Sequence, residues 1–172
     1  MNRDQIYSSA SLAGKLARYH TWPVIRKQTV GEHCWRVANI YVEMFGMPRA
    51  EVLYFCLNHD SGELWAGDIP FTVKDKTPGM REASSKAEAE GFRRLGIKMP
   101  LLGDEEFNRV KCADIAEMWE YGRHEFRLGN TYALPIVADT MAALLKRCEQ
   151  FIDPDDRSKV RGWLLTQKER MS

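Results

Sequence analysis

Apolar residues recur along most of this chain at intervals of three and four, the repeat of one helix face, and strand-like alternation is nearly absent. Thr29-Val30-Gly31-Glu32 fits a capping box, in which the Thr29 side chain accepts the N–H of Glu32 while the Glu32 carboxylate reaches back. A helix is expected to start there. Val30, Cys34, Val37, Tyr41, Met44 and Phe45 continue it at helical spacing, and Gly46 with Pro48 supplies the stop. A weaker first helix is expected over about residues 7–19, ending before Pro23, which forces a loop that runs to about Gln28. Beyond Pro48 the run Val52, Leu53, Phe55, Cys56 and Leu57 leads to His59-Asp60, where Ser61-Gly62 marks a local break.

A short helical piece through Glu63, Leu64 and Trp65 should end at Gly67. Residues 68–79, with Pro70, Pro78 and Gly79, read as an ordered loop suited to forming a substrate lip. Residues 81–95 alternate charge and alanine, the pattern of a mostly solvated covering helix. Asp104 opens a long helix carrying Phe107, Val110, Ile115 and Met118 toward Leu128, with Gly122 as a candidate kink. Two further helices are expected over about residues 134–152 and 157–168, separated by the turn Asp153-Pro154-Asp155-Asp156. The sum is an all-α bundle of about six helices, with residues 1–172 as a single domain lacking repeats and linkers.

Composition narrows this picture. With 172 residues, 44% hydrophobic and 28% charged, the chain is long enough for one core and too apolar for disorder. Lys and Arg number 25 against 24 Asp and Glu, a formal charge of +1, which argues against a protein that works by neutralising a nucleic-acid polymer. Any phosphate binding should be local. No stretch approaches the ~20 apolar residues of a membrane span, and the polar start Met1-Asn2-Arg3-Asp4-Gln5 lacks a signal peptide's apolar centre, so a cytoplasmic address is expected. Cys34, Cys56, Cys112 and Cys148 are far apart and form no C-x-x-C pair, which suits reduced thiols filling the core better than thiolate ligands or a nucleophile.

The candidate chemistry lies in His33, the pair His59-Asp60, and Asp114, each on or at the end of a helix with an apolar face. Two imidazoles and two carboxylates suit Zn, Mn, Fe or Co and leave positions open for water. Neighbours on a helix point about 100° apart, so His59 and Asp60 share an ion only on the shoulder between them, which the break at Ser61-Gly62 eases. Spacing alone does not separate this from a hydrogen-bonded core histidine beside a chance His-Asp pair.

The surrounding text does separate them. V-G-E-H ending at His33, N-H-D-S-G-E at residues 58–63, G-D-I-P-F-T-V-K at residues 67–74 and K-C-A-D ending at Asp114 form an ordered series that resembles the HD phosphohydrolase superfamily. Within it the chain is most similar to bacterial 5′-deoxynucleotidases and to phage dATP triphosphohydrolases, over roughly residues 18–140; its short length and Tyr19-His20-Thr21-Trp22-Pro23 incline toward the phage group. The resemblance implies metal ligation by His33, His59, Asp60 and Asp114, with a divalent ion (Zn, Co or Mn) as cofactor. Such an ion lowers the pKa of its water from 15.7 to about 7 and neutralises charge at phosphorus, so no Ser or Cys nucleophile is required.

The same resemblance casts Glu63 as general base or water positioner, with Asp68 as a weaker second candidate whose other reading is a loop cap. Lys74 and Lys111 match phosphate-binding lysines, and two ammonium groups suit a polyphosphate tail better than a monophosphate. Trp22 matches the tryptophan that packs on deoxyribose and excludes a 2′-hydroxyl, its rival reading being a core anchor; Ile25 would line the base pocket, and Arg18 would reach phosphate from the preceding helix. The chain departs from the bacterial monophosphatases in placing Thr21, not Arg, directly before Trp22, so Arg18, His20 or Arg26 must replace that contact. His124 fits no motif and reads as a surface or packing residue.

The expected activity is therefore hydrolysis of a deoxynucleotide, dATP above all, to deoxynucleoside and triphosphate. The alternatives are a 5′-deoxynucleotidase, a second-messenger hydrolase against which the Trp22-Pro23 loop argues, and a non-catalytic metal-stabilised binding module that would have no use for Glu63. Family members of this kind form dimers or larger rings, so self-association as a dimer or hexamer is expected, and Trp119, Tyr121 and Trp163 stand as either interface or core. If phage-encoded, the protein would work in the host cytoplasm.

Overall fold

Helices form where the apolar period places them, in the computed structural model, which describes residues 10–169. In chain order these are α1 (Ala10–Ala13), α2 (Val30–Phe45), α3 (Ala50–Asn58), α4 (Glu63–Ala66), α5 (Phe71–Lys76), α6 (Met80–Leu95), α7 (Asp104–Arg127), α8 (Leu134–Cys148) and α9 (Pro154–Glu169), with a 3₁₀ turn at Thr131–Ala133. Six of them have nine or more residues, and no strand occurs among the described residues; a single antiparallel bridge joins Ala17 to Thr29.

The core forms where α2, α7, α8 and α9 turn their apolar faces together. Val37, Tyr41 and Met44 of α2, Val110, Ala113 and Trp119 of α7, Leu144 of α8 and Trp163 of α9 share one buried cluster. Trp119, Tyr121 and Trp163 are thus interior residues of this chain, not interface residues, at 2%, 1% and 6% exposure. The helix α7 continues through Gly122, where a side chain would put Cβ 3.1 Å from a Val137 methyl and 3.2 Å from an Ile136 methyl, so its absence lets α8 approach. All four cysteines are free and buried, as core filling requires.

Several expectations need correction. The first helix does not extend to residue 19: within the described part it stops at Ala13, and residues 7–9 lie outside that part. Gly14 instead meets Gly31 backbone to backbone, the Gly31 N–H bonding the Gly14 carbonyl at 3.1 Å, which leaves residues 15–29 to form a closed loop. Only half of the capping box forms: Thr29 accepts the Glu32 N–H at 3.2 Å, but the Glu32 carboxylate turns to Arg26 at 3.3 Å, where a full charge outbids a backbone N–H. Residues 68–79 are not all loop, because α5 forms within them. Its bracketing prolines disguise a single turn that Lys74 and Lys76 stabilise at the C-terminal, negative end of the helix dipole. The first of the last two helices ends four residues earlier than the pattern suggests, at Cys148, and the second begins three residues earlier, at Pro154.

The covering helix α6 is solvated along most of its length, yet one point on it is tightly docked. A Cβ on Gly91 would lie 2.2 Å from the Gly62 carbonyl oxygen, and one on Gly62 would lie 2.4 Å from that of Glu88. Only a glycine pair permits this approach. It pins the turn between His59-Asp60 and Glu63 against α6. No helix among the described residues is long and apolar enough to cross a membrane.

Candidate active site

Four side chains from three helical segments meet as the spacing requires. His33 lies one turn into α2, facing inward with 0% exposure; His59 and Asp60 follow the last residue of α3; Asp114 lies on the inner face of α7. His33 Nε2 lies 3.4 Å from Asp60 Oδ2 and 3.2 Å from Asp114 Oδ1, while His59 Nε2 lies 3.4 Å from Asp60 Oδ1 and 3.8 Å from Asp114 Oδ1. One donor atom from each of His33, His59 and Asp60 falls within 4.8 Å of the others, and Asp114 adjoins both imidazoles.

The donor set fits a divalent cation on two grounds. Ligand atoms about 2.05 Å from a tetrahedral ion are about 3.4 Å apart, close to these separations. The tautomers also agree. His33 Nδ1 is 2.6 Å from Glu117 Oε2 and His59 Nδ1 is 2.9 Å from the Cys56 carbonyl oxygen. Both partners only accept, so each Nδ1 carries hydrogen and Nε2 is the ring nitrogen left to face the carboxylates. Those two Nε2 atoms are buried without a hydrogen-bond partner, a costly arrangement for groups that hold nothing.

Electrostatics points the same way. Burial opposes ionisation of Asp60, but His59, Arg18 and His33 outweigh it and hold the carboxyl well below its ordinary range. Burial likewise opposes ionisation of Asp114, and Lys111 with the two histidines overcomes it. Glu63 moves the other way: burial first, then the charge of Asp60, pushes its carboxyl up to about 9. A carboxylate concentration of this kind calls for a cation.

The remaining expected residues divide. Arg18 reaches the cluster, Nη1 donating to Asp60 Oδ2 at 2.5 Å, but from the loop after α1 and not from a helix. Of the three candidates to replace the arginine absent before Trp22, Arg18 is the one bonded to the cluster; Arg26 pairs with Glu32, and His20 is half exposed beside Asp68 at 3.9 Å. Glu63 is 5% exposed with Oε2 unpartnered, and Lys74 Nζ lies 3.8 Å from its Oε1 while bonding Glu88 at 2.8 Å. Lys111 Nζ bonds Asp114 Oδ2 at 2.7 Å.

Asp68 Oδ2 accepts the Tyr19 N–H at 3.0 Å, which holds Tyr19 in the left-handed region at φ 55°. This is the loop-capping reading of Asp68. Trp22 and Ile25 stand 37% and 58% exposed on the loop, so Trp22 is no core anchor. His124 is exposed on the wall of a separate cavity of about 370 Å³ with Arg36, Glu120 and Leu128, none of them in the cluster.

Sequence reasoning missed Glu117, the partner of His33. It is fully buried and also accepts from Gln28 Nε2 at 2.7 Å and Arg36 Nε at 2.8 Å. Its signal was present: it lies three residues after Asp114, on the same helix face. Glu88, Glu125 and Asn130 were missed as well, and only their contacts across the fold reveal them.

An all-helical bundle that brings two histidines and two aspartates together, with Glu63 and two lysines beside them, is the arrangement of a metal-dependent phosphohydrolase of the HD class. The chain belongs to the YfbR-like 5′-deoxynucleotidase family, whose profile matches residues 12–153. Among solved structures it is similar to the HD phosphohydrolase DatZ of cyanophage S-2L, bound to dA and one catalytic Zn²⁺ ion. The TM-score is 0.70 at 21% identity, covering 94% of this chain and 93% of the other, a likeness of fold. No curated protein sequence matches the chain.

Proposed function

We propose that this deoxynucleotide phosphohydrolase acts on 2′-deoxynucleoside triphosphates, dATP in preference, cleaving the bond between the α-phosphorus and O5′ to release deoxynucleoside and triphosphate. The observation that carries the triphosphate is the set of three cations around the cluster, Arg18 on Asp60, Lys111 on Asp114 and Lys74 beside Glu63. Three cations suit the greater and more extended negative charge of a polyphosphate better than the two charges of a monophosphate.

His33, His59, Asp60 and Asp114 would hold a divalent ion, which acidifies water and neutralises charge at phosphorus when bound. Glu117 fixes the His33 tautomer and is itself fixed by Gln28 and Arg36. With a bound divalent ion offsetting the Asp60 charge that raises its carboxyl, Glu63 would be ionised, orient the attacking water and accept its proton as the P–O5′ bond breaks; the departing O5′ takes up a proton from solvent. Lys74 and Lys111 hold phosphate oxygens, and the Trp22 ring closes against deoxyribose where a 2′-hydroxyl would need space. Ile25 contributes the apolar side of the base pocket. Asp68 keeps the Tyr19 turn in place. The neighbouring DatZ, bound to dA, supports the choice of adenine. Self-association as a dimer or hexamer and a cytoplasmic address complete the reading.

The second reading, removal of phosphate from deoxynucleoside monophosphates, is favoured by the family match over residues 12–153. Purified protein incubated with Co²⁺, Mn²⁺ or Zn²⁺ and each nucleotide, with products resolved by chromatography, decides between them. Triphosphate together with deoxyadenosine is the expected result. Inorganic phosphate from dNMPs, with dNTPs untouched, would replace the first reading by the second.

A further inference from the structure

The loop that carries Trp22 and Ile25 has little packing of its own, since Trp22, Ile25 and Lys27 are all exposed. Its base is closed by the bridge from Ala17 to Thr29 and by the Arg18 N–H on the Gln28 carbonyl at 2.9 Å. Its tip is held from elsewhere, by the far end of α7. Glu125, 2% exposed, accepts the Ile25 N–H on Oε2 at 2.7 Å and the Arg26 N–H on Oε1 at 2.8 Å. Asn130 Nδ2 donates to the same Oε2 and to the Pro23 carbonyl, each at 2.9 Å. The Tyr121 hydroxyl donates to the Arg26 carbonyl, and its ring stacks on Tyr19 at 4.6 Å with an interplanar angle of 1°.

A surface loop has no need of this. Its N–H groups can bond water, whereas a buried carboxylate must be desolvated to reach them, so anchoring by Glu125 makes sense where position matters more than solubility. Excluding a hydroxyl by contact demands a wall that does not yield; a mobile wall gives way at small cost and discriminates little. We propose that Glu125, seated by Asn130, is a specificity-positioning residue that holds the backbone from Pro23 to Arg26 so that Trp22 and Ile25 form a fixed wall for sugar and base. This rests on the sugar and base roles proposed above for those two side chains. The juxtaposition that carries it is a buried carboxylate spending both oxygens on consecutive N–H groups 99 and 100 residues away in the chain.

The test uses Glu125→Gln, which keeps the shape but offers one accepting oxygen and turns an NH₂ toward an N–H donor. With the metal saturating, KM and kcat are measured on dATP with ATP and on dAMP with AMP, for the wild type, Glu125→Gln, Asn130→Ala and Trp22→Ala, alongside metal affinity and melting temperature. The expected result is a deoxy-to-ribo preference in Glu125→Gln reduced about tenfold, the effect falling on KM more than on kcat, with metal affinity unchanged. Asn130→Ala should move the same way by less, and it carries the test if Glu125→Gln fails to fold. Lower melting temperatures with the preference intact in these variants, while Trp22→Ala abolishes it, would overturn the positioning role and leave the Trp22 reading standing. An unchanged preference in Trp22→Ala would remove the premise, and the proposal with it.

Discussion

The metal cluster and the Trp22 loop solve opposite problems with the same helix. The cluster is nearly dry, its imidazoles at 0% and 4% side-chain exposure, and its four residues lie on, or directly after, helices that pack into the core. The loop is exposed, carries its candidate contacts on irregular backbone, and takes its rigidity from buried side chains at the end of α7. One helix thus supplies Asp114 and Glu117 to the cluster, and Glu125 two turns further on to the loop. On the roles proposed above, chemistry would be built into the core, whereas selectivity would be carried at the surface and clamped from below.

The comparison predicts that cluster lesions stop turnover and that loop lesions redirect it. The largest effect should come from Glu63→Ala, with turnover falling about 10²–10⁴-fold while metal content and melting temperature stay close to the wild type. A fully active variant, measured by product release, would end the assigned role of Glu63. Next is Glu117→Gln, expected to weaken metal affinity by about 10–100-fold in equilibrium dialysis, with much of the turnover restored at high metal concentration. Trp22→Ala should leave metal affinity alone and cut the preference for deoxyribose by about tenfold or more, read from paired KM values.

How much of this was legible in the sequence follows the same division. His33, His59, Asp60 and Asp114 were readable because each stands in a motif of the ordered HD series; the apolar period of the adjoining helices alone did not separate them from ordinary core residues. The start of α2 at Thr29 and the extent of α7 from Asp104 were legible from local pattern. Glu125 and Asn130 were not, because their meaning lies in hydrogen bonds to Pro23, Ile25 and Arg26, some hundred residues away, which no local period encodes. Nor was the turn α5, hidden between Pro70 and Pro78, or the docking of α6, which depends on two glycines meeting at Gly62 and Gly91. Trp119, Tyr121 and Trp163 could not be divided between core and interface without knowing which faces meet.

The smallest expected effect is on acid stability. Burial opposes ionisation of Glu125, but Asn130 and the N–H groups of Ile25 and Arg26 outweigh it and hold the carboxyl below its ordinary value. Because the folded value is the lower one, the unfolded chain binds more protons in this window, and the stabilisation is full above the ordinary value of 4.5 and lost as pH falls through the folded one. The melting-temperature gap between wild type and Glu125→Gln should therefore narrow on going from about pH 7 to about pH 3; a constant gap would show that the carboxylate charge plays no part in the clamp.

The central claim is that two imidazoles and two aspartates act as a single ion site on which hydrolysis depends. Metal analysis of the dialysed wild type and of Asp114→Ala, each followed by a deoxynucleotide turnover assay, addresses it directly. The account predicts a single tightly held divalent ion per chain in the wild type, and loss of both ion and turnover in the variant while the helical spectrum persists. A variant that keeps its ion and hydrolyses substrate at the wild-type rate would contradict it.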